Sequence, residues 1–165
     1  MLIKPEAPRI LGLDLMSVLG WACRAEDGSV HYGTETFESK HTQSPGIKWL
    51  RFRNWLRATC KEVKPELVYY EEVKGFPPKN MGRDSKVFHG FEANLLAFCA
   101  AAELECEGLS VGTIKKFITG SGNAPKTAMI TAIKALGYDP ANHNEADAIG
   151  VLLLAESLVI HGRNQ

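Results

Sequence analysis

Apolar positions along the chain follow two different periods. Short runs that are apolar or alternating are typical of strands, whereas longer segments with an apolar residue every third or fourth position are typical of helices with one buried face. The predicted strands are 9–14, 21–24, 30–37, 67–71 and 109–111. The predicted helices are 47–63, 85–103, 113–119, 125–137 and a last one from about residue 144. Successive strands followed by alternating strands and helices predict a mixed sheet covered by helices, an α/β domain.

Composition narrows the class of protein. The chain has 165 residues, of which 45% are hydrophobic and 23% charged, as expected for one globular domain (1–165, with its core at about 9–158). No apolar run is long enough to span a bilayer and the first residues lack a signal-peptide core, so we expect a cytoplasmic protein. Four cysteines without a C-x-x-C pair predict buried free thiols rather than zinc or disulfides.

Charge is balanced overall but segregated along the chain. Nineteen basic residues match nineteen acidic ones, which by itself argues against a polyanionic partner. The stretch 108–138, however, has no acidic residue and contains Lys115, Lys116, Lys126 and Lys134. A second stretch, 74–86, contains Lys74, Lys79, Arg83 and Lys86 against Asp84 alone. These stretches are candidate nucleic-acid surfaces, and the plainer alternative is a solvated lysine-rich face.

Three acidic residues occupy positions where a charged side chain is costly. Asp14 ends an apolar strand, Glu71 ends the second clearly buried strand, and Asp147 lies in the first turn of the last helix. A buried carboxylate needs a partner, or else its pKa rises. Glu72 follows Glu71, and because strand alternation sends the two to opposite faces, only one of them can join Asp14.

Each acid also has a simpler structural interpretation. Asp147 could stabilise a helix N-terminus capped near Asn144, and Asp14 could accept hydrogen bonds from the turn amides of Met16 and Ser17. Together, however, two strand-end acids and a helix-start acid suit Mg²⁺ or Mn²⁺, which prefer oxygen ligands. Two such ions about 3.5–4 Å apart activate a water and stabilise the leaving oxygen in phosphodiester hydrolysis. The acids therefore predict nuclease chemistry.

Four segments match one known family in the expected order. They are Ile10-Leu-Gly-Leu-Asp14 with Ser17 and Gly20-Trp-Ala, then Tyr70-Glu71-Glu72-Val73, the basic stretch 111–126, and 142–149. Together they resemble the RuvC-like Holliday junction resolvases of the ribonuclease H-like superfamily, most closely the phage-type members, over roughly 9–156. The resemblance implies a ribonuclease H-like α/β fold with a five-stranded mixed sheet, and a homodimer that makes paired cuts in four-way or branched DNA inside a phage-infected or prophage-carrying host.

The resemblance also assigns roles to individual residues. It places Asp14, Glu71 and Asp147 in the metal-binding set, with two Mg²⁺ ions per site and Mn²⁺ as a substitute. Bacterial members carry a further acid or His three residues before the last Asp, where this chain has Asn144. His143 and Glu145 are therefore the candidates for a fourth catalytic side chain.

The same resemblance predicts the DNA contacts and the dimer. Lys115 and Lys126 match basic positions that approach the DNA backbone, and Lys116 adds to them. The stretch 74–86, with Lys74, Lys79 and Arg83, matches the loop at the junction centre. Phe76 in that loop could wedge against a base or belong to the core. Helix 85–103, rich in Ala and Leu, could form the dimer interface or simply be buried.

Three other functions remain open from the sequence. The same acids would serve a related nuclease that acts on RNA/DNA hybrids or flaps. A nucleotide-binding domain of the actin or sugar-kinase type also has a strand, an Asp and a later Gly, although those proteins need two lobes and we expect no nucleotide cofactor here. A branched-DNA-binding module that has lost catalysis would agree with Asn144 at the fourth position.

Overall fold

A computed structural model of the chain describes residues 7–162, apart from the side chain at position 80. The strands are β1 (Ile10–Asp14), β2 (Val18–Arg24), β3 (Val30–Thr36), β4 (Leu67–Glu72) and β5 (Glu105–Ser110). The helices are α1 (Ile47–Val63), α2 (Arg83–Ala101), α3 (Val111–Thr119), α4 (Lys126–Ala135) and α5 (His143–Gly162), with a short 3-10 turn at Pro78–Asn80. No helix within the described range is both long and apolar enough to cross a membrane.

The five strands form one mixed sheet in the order β3-β2-β1-β4-β5. β1 pairs antiparallel with β2 and parallel with β4, and β4 pairs parallel with β5. Because β1 and β4 run in the same direction, their carboxyl ends meet at the same edge of the sheet. We call this the upper edge; Asp14 and Glu71 both lie there.

Helices cover both faces of the sheet, which gives two hydrophobic cores. One core lies under α3, α4 and α5 and includes Ile10, Tyr69 and Ile149. The other lies under α1 and α2 and includes Leu13 and Tyr70. Neighbouring residues of β1 and β4 thus contribute to opposite cores, as strand alternation requires.

Two glycines let α5 lie directly on the sheet. A Cβ atom at Gly12 of β1 would come within 2.9 Å of the Leu152 amide nitrogen, and one at Gly20 of β2 would collide with the carbonyl of Asn144. Gly20 is the pairing partner of Asp14. The first turn of α5 is therefore held beside the end of β1 because position 20 has no side chain.

The predicted five-stranded mixed sheet flanked by helices is confirmed, whereas some element boundaries were wrong. The last strand was predicted at 109–111 but is Glu105–Ser110, and Val111 already begins α3. This edge strand exposes Glu105 and Glu107 on alternate positions, so a search for an apolar run missed its first half. β2 starts at Val18 rather than at residue 21, and α2 starts two residues earlier than predicted.

The predicted free thiols are confirmed for all four cysteines. Cys23 and Cys99 are buried, while Cys60 and Cys106 are half-buried.

Candidate active site

Strand alternation decides which of the two adjacent glutamates faces α5. Tyr69 lies in the core under α5 and Tyr70 lies in the core under α1 and α2. Glu71 therefore faces the α5 side, and Glu72 faces the α2 side together with Tyr70. By the same alternation Asp14 lies on the α5 side, because Leu13 lies in the opposite core. The sequence-based preference for Glu71 agrees with this placement.

The first turn of α5 supplies the third acid. Asn142 caps the helix: its side-chain oxygen accepts a hydrogen bond from the Glu145 amide at 3.0 Å, and its carbonyl accepts one from Ala146 at 3.2 Å. Asp147 lies near the end of the first turn, half-buried, and its neighbour Ala148 lies close to Gly12 and Gly20 of the sheet. α5 thus brings Asp147 to the edge where β1 and β4 end.

Burial raises the pKa values of all three carboxyl groups, and neighbouring carboxylates add to this effect at Asp14 and Glu71. Burial raises the pKa of Asp14 well above its usual range, and the nearby charges of Glu71 and Asp147 raise it further. Burial and then the charge of Asp147 raise the pKa of Glu71 to about 7. Burial raises the pKa of Asp147 to about 6. Asp14, Glu71 and Asp147 therefore lie within electrostatic range of one another, in a site where negative charge is costly.

None of these three carboxyl groups has a close partner within the described structure. Their oxygens make no hydrogen bond and no ion pair within 4.0 Å, and the predicted contacts of Asp14 with the turn amides of Met16 and Ser17 do not form. No fully enclosed side-chain oxygen lacks a hydrogen-bond partner within residues 7–162, so the acid oxygens stay reachable from outside. Burial without a fixed partner leaves these acids free to receive a cation.

The donor set fits Mg²⁺ or Mn²⁺ only as an open site. Within residues 7–162, no three His, Cys, Asp or Glu side chains stand close enough together to form a ready-made metal cage. Mg²⁺ rarely uses such a cage in proteins; it binds through one or two carboxylates and keeps waters and substrate phosphates as its other ligands. A cation here would remove the repulsion that raises the pKa values of Asp14 and Glu71.

Two lysines act on the acids and a third does not. The positive charges of Lys115 and Lys126 lower the pKa values of both Glu71 and Asp147, against the effect of burial. Lys115 on α3 is half-buried, whereas Lys126 begins α4 and is exposed. Lys116, the neighbour of Lys115, is exposed and has no such effect on either acid. The three predicted DNA-binding lysines thus divide into two beside the acids and one directed elsewhere.

The two candidates for a fourth catalytic side chain have different surroundings. His143 is half-buried, and its pKa is lowered by burial and by the charge of Lys126, so it lies near one of the two lysines that act on the acids. Glu145 is only 9% exposed. Its carboxylate accepts hydrogen bonds from the Thr34 hydroxyl at 3.0 Å and the Ala141 amide at 2.7 Å.

Glu145 therefore holds the start of α5 against β3 in the described structure, and its catalytic role stays a prediction. Sequence reasoning also missed Asn142 as the cap and favoured Asn144. The signal was present, because Asn142 and Glu145 have the N-x-x-E spacing of a capping box.

The loop predicted to contact the junction centre lies on the α2 side of the upper edge. Lys74, Lys79 and Arg83 are exposed, and Lys74 pairs with Glu72 at 3.7 Å. Phe76 is half-buried against Phe88, with ring centroids 5.9 Å apart. This contact gives Phe76 a packing role in the described structure and leaves its wedge role as a prediction.

Known proteins are similar to this chain in sequence and in fold along most of its length. A curated relative, the crossover junction endodeoxyribonuclease RuvC of Rickettsia prowazekii (strain Madrid E), is 28% identical over 148 residues, which cover 86% of this chain and 92% of the relative. No protein-family model matches the chain.

Solved structures of proteins of the same kind have a fold similar to that of this chain. The fold is similar to Thermus thermophilus RuvC in complex with Holliday junction substrate, with a TM-score of 0.76 and 17% identity over 93% of this chain and 96% of that one. The yeast mitochondrial Holliday junction resolvase Ydc2 matches with a TM-score of 0.63 and 14% identity over 96% of this chain and 82% of that one. The chain is therefore similar in fold to these resolvases over nearly its whole length, and similar in sequence to the curated RuvC over 86% of its length.

Proposed function

We propose that this protein is a metal-dependent endonuclease that resolves four-way DNA junctions by hydrolysing paired phosphodiester bonds. The observation that carries the proposal is the group Asp14, Glu71 and Asp147, whose pKa values are all raised by burial and whose carboxylates have no cation within 4.0 Å in the described structure. The curated relative is itself named as a crossover junction endodeoxyribonuclease. Its activity transfers to this chain as part of the proposal.

The three carboxylates would hold two Mg²⁺ ions, with Mn²⁺ as a substitute. Bound metal supplies charge stabilisation for the phosphoryl oxygens and lowers the pKa of water. The chain's own contribution is to keep the three acids ionised and aimed at one edge of the sheet. Lys115 and Lys126 favour the ionised forms of Glu71 and Asp147, and they would bind phosphates on either side of the cut.

His143 is the better remaining candidate for a fourth side chain. Burial and Lys126 lower its pKa, so the imidazole is neutral at physiological pH and can accept a proton or bind a metal. Glu145 is less suitable because its carboxylate holds the helix start, and Asn144 offers only an uncharged amide.

A homodimer would supply the second cut. α2 buries Phe88, Phe91 and Leu95 in its own core but exposes Leu96, which is 42% accessible, among exposed alanines at 93, 97 and 100. This small and apolar outer face would let two copies of α2 approach closely. Two symmetric active sites are what paired nicks require.

The test is cutting of a synthetic four-way junction with Mg²⁺. We expect paired nicks in strands of like polarity, and binding with little cutting when Ca²⁺ replaces Mg²⁺. An RNA/DNA hybrid of the same length and an ATP hydrolysis assay serve as the comparison. Faster cutting of the hybrid, or ATP hydrolysis without any cutting, would contradict junction resolution; junction binding without cutting in either metal would indicate a module that has lost catalysis.

A further inference from the structure

Helix α1 carries a concentration of positive charge that the proposed active site does not use. Five of its 17 residues are basic and only Glu62 is acidic, although the whole chain has no net charge. The basic residues are Lys48, Arg51, Arg53, Arg57 and Lys61. α1 packs on the face of the sheet opposite α5, so these charges are separate from the acids and from Lys115 and Lys126.

Three of these cations form a line along the exposed side of α1. Arg53, Arg57 and Lys61 are four residues apart, which places them on successive turns about 6 Å apart on one face, and all three are exposed. We call them the α1 stripe. A line of three positive charges over about 12 Å matches an extended polyanion better than a small anion, since one strand of duplex DNA carries a charge about every 3.4 Å.

The α1 stripe has no acidic partner within the described residues. None of its members pairs with a carboxylate within 4.0 Å; Arg57 donates a hydrogen bond only to the Asn54 side chain, at 3.2 Å. Five ion pairs do form elsewhere in residues 7–162, so acids are available to the fold. The positive potential of α1 is therefore left uncompensated.

The apolar side of α1 is used by the core, which argues against a membrane as the partner. Trp49, Phe52 and Trp55 pack against Phe37 or Phe91. Leu50 is the large apolar side chain of α1 that is exposed. A helix that lies on a membrane needs a broad apolar face beside its cations, and the apolar face of α1 is buried in the core of the protein.

The position of α1 relative to the upper edge suggests which DNA it meets. β3 ends at this edge, where Thr34 pairs with Gly20, the partner of Asp14. α1 follows β3 and returns to the lower edge, where β4 begins. Its 17 residues extend about 25 Å away from the edge that carries the acids.

We propose that the α1 stripe binds the phosphate backbone of a duplex arm that leaves the junction, within about one helical turn of the strand crossover. This inference rests on the proposed function, because the upper edge must first hold a junction. The α1 stripe would add a second contact surface on the other face of the sheet. This surface would bind DNA through charge, independently of the base sequence.

The test compares two junctions with the same crossover sequence. One has arms of about 20 base pairs; the other has arms of about 5 base pairs, about 17 Å long, closed by hairpin loops so that they stay paired. The variant is Arg53→Ala with Arg57→Ala and Lys61→Ala. The control is the charge-conserving set Arg53→Lys, Arg57→Lys and Lys61→Arg. Binding is measured in Ca²⁺ over a series of salt concentrations, and cutting is measured in Mg²⁺.

We expect the alanine variant to bind the long-arm junction at least about tenfold more weakly at moderate salt, and its salt slope to fall by about 2 to 3, close to 0.9 for each lost phosphate contact. Its affinity for the short-arm junction should fall less, because those arms reach only part of the stripe, and its rate of cutting that junction once bound should stay at the wild-type value. The charge-conserving control should retain the wild-type slope.

An unchanged affinity and slope on long arms would overturn the α1 contact, as would an equal loss on long and short arms. In either case, normal cutting of the short-arm junction would leave the proposed nuclease function standing. Failure of the wild-type protein to cut any junction would instead contradict the proposed function.

Discussion

The two ends of α5 treat buried acids in opposite ways. Near the carboxyl end of the helix, Glu156 receives both arms of Arg24 in a bidentate ion pair at 2.6 and 2.7 Å. Glu156 raises the pKa of Arg24, mainly through this hydrogen bond. Near the amino end, Asp147 shares a buried region with Asp14 and Glu71, and none of the three has a cation within 4.0 Å in the described structure.

The difference separates an acid that stabilises the fold from the acids that we propose to be catalytic. At the lower edge, the guanidinium of Arg24 is always charged and fixes α5 to β2 through two hydrogen bonds. At the upper edge the acids have no cation within 4.0 Å in the described structure, so the compensating positive charge has to come from a ligand that binds and dissociates. Exchangeable metal ions and DNA phosphates are the ligands that we propose for the upper edge, and without them the repulsion among the acids lowers the stability of the protein.

The largest expected effect is on cutting, when an upper-edge acid is neutralised. Asp14→Asn or Glu71→Gln removes a proposed metal ligand while keeping the shape of the side chain. Changes around a metal site usually lower activity by about 10–100-fold. We expect the cutting rate to fall by more than this, with junction binding retained. Glu72→Gln is the matched control, since the adjacent Glu72 lies on the opposite face; single-turnover cutting of a junction in Mg²⁺ measures all three. Equal losses in Glu71→Gln and Glu72→Gln would show that the face does not matter.

At the lower edge, Arg24→Ala should affect stability instead of chemistry. It leaves Glu156, whose side chain is only 18% exposed, without its partner. We expect the free energy of unfolding to fall by about 1–3 kcal/mol, less than for a fully buried pair because Arg24 is partly exposed. Urea unfolding measures the loss, and Arg24→Lys should recover part of it. Cutting per folded molecule should be unchanged; a large drop would mean that the lower edge takes part in catalysis.

The stability of the metal-free protein should fall as pH rises toward neutrality. Because the pKa of Glu71 is raised from 4.5 to about 7 and that of Asp147 from 3.8 to about 6, the folded state holds more protons than the unfolded state between about pH 4 and pH 7. The free energy of unfolding therefore decreases over this range.

Glu71→Gln removes one of these groups. We expect it to stabilise the metal-free protein at pH 8 by on the order of 1–3 kcal/mol and to flatten the pH dependence. Denaturant midpoints in EDTA across this pH range give the answer, and added Mg²⁺ should stabilise the wild type more than the variant. A wild-type midpoint that rises steadily from pH 4 to pH 7 in EDTA would have the wrong sign.

The smallest effect should come from the lysines. Lys115 lowers the pKa values of Glu71 and Asp147, so Lys115→Ala should raise the pH at which cutting is half-maximal on the acidic side, by a few tenths of a unit. Lys116→Ala, one residue away, should leave that pH unchanged while weakening DNA binding. The measurement is the pH profile of single-turnover cutting. Equal shifts in both variants would remove the distinction between the two lysines.

Local rules were enough to predict the fold class and to show that Glu71 and Glu72 face opposite sides of the sheet, whereas the preference for Glu71 came from the family resemblance. Strand alternation is a property of neighbouring residues, so the sequence alone shows that only one of the two can face Asp14. The parallel pairing of β1 and β4, which brings Asp14 and Glu71 to one edge, follows from the order of strands and helices.

The parts that the sequence did not reveal depend on contacts distant along the chain. Glu145 is near Asp147 in sequence and has the right chemistry for a metal, but Thr34, more than a hundred residues earlier, claims its carboxylate. The first half of β5 alternates acidic and less polar residues, and its pairing with β4 rather than its own propensity makes it a strand. Lys115 and Lys116 are indistinguishable in sequence, and only the orientation of α3 separates them.

Because position 20 is a glycine, the upper edge of the sheet is sensitive to a small substitution there. A methyl group there would press on the carbonyl of Asn144 and lift the helix start away from the sheet, while the Arg24–Glu156 clamp anchored the far end. Such a helix would pivot, and its tip would carry Asp147 out of line with Asp14 in a protein that still folds. We therefore expect that a single added methyl group at position 20, although it is not one of the acids, would disturb the arrangement of the acids while the fold is retained.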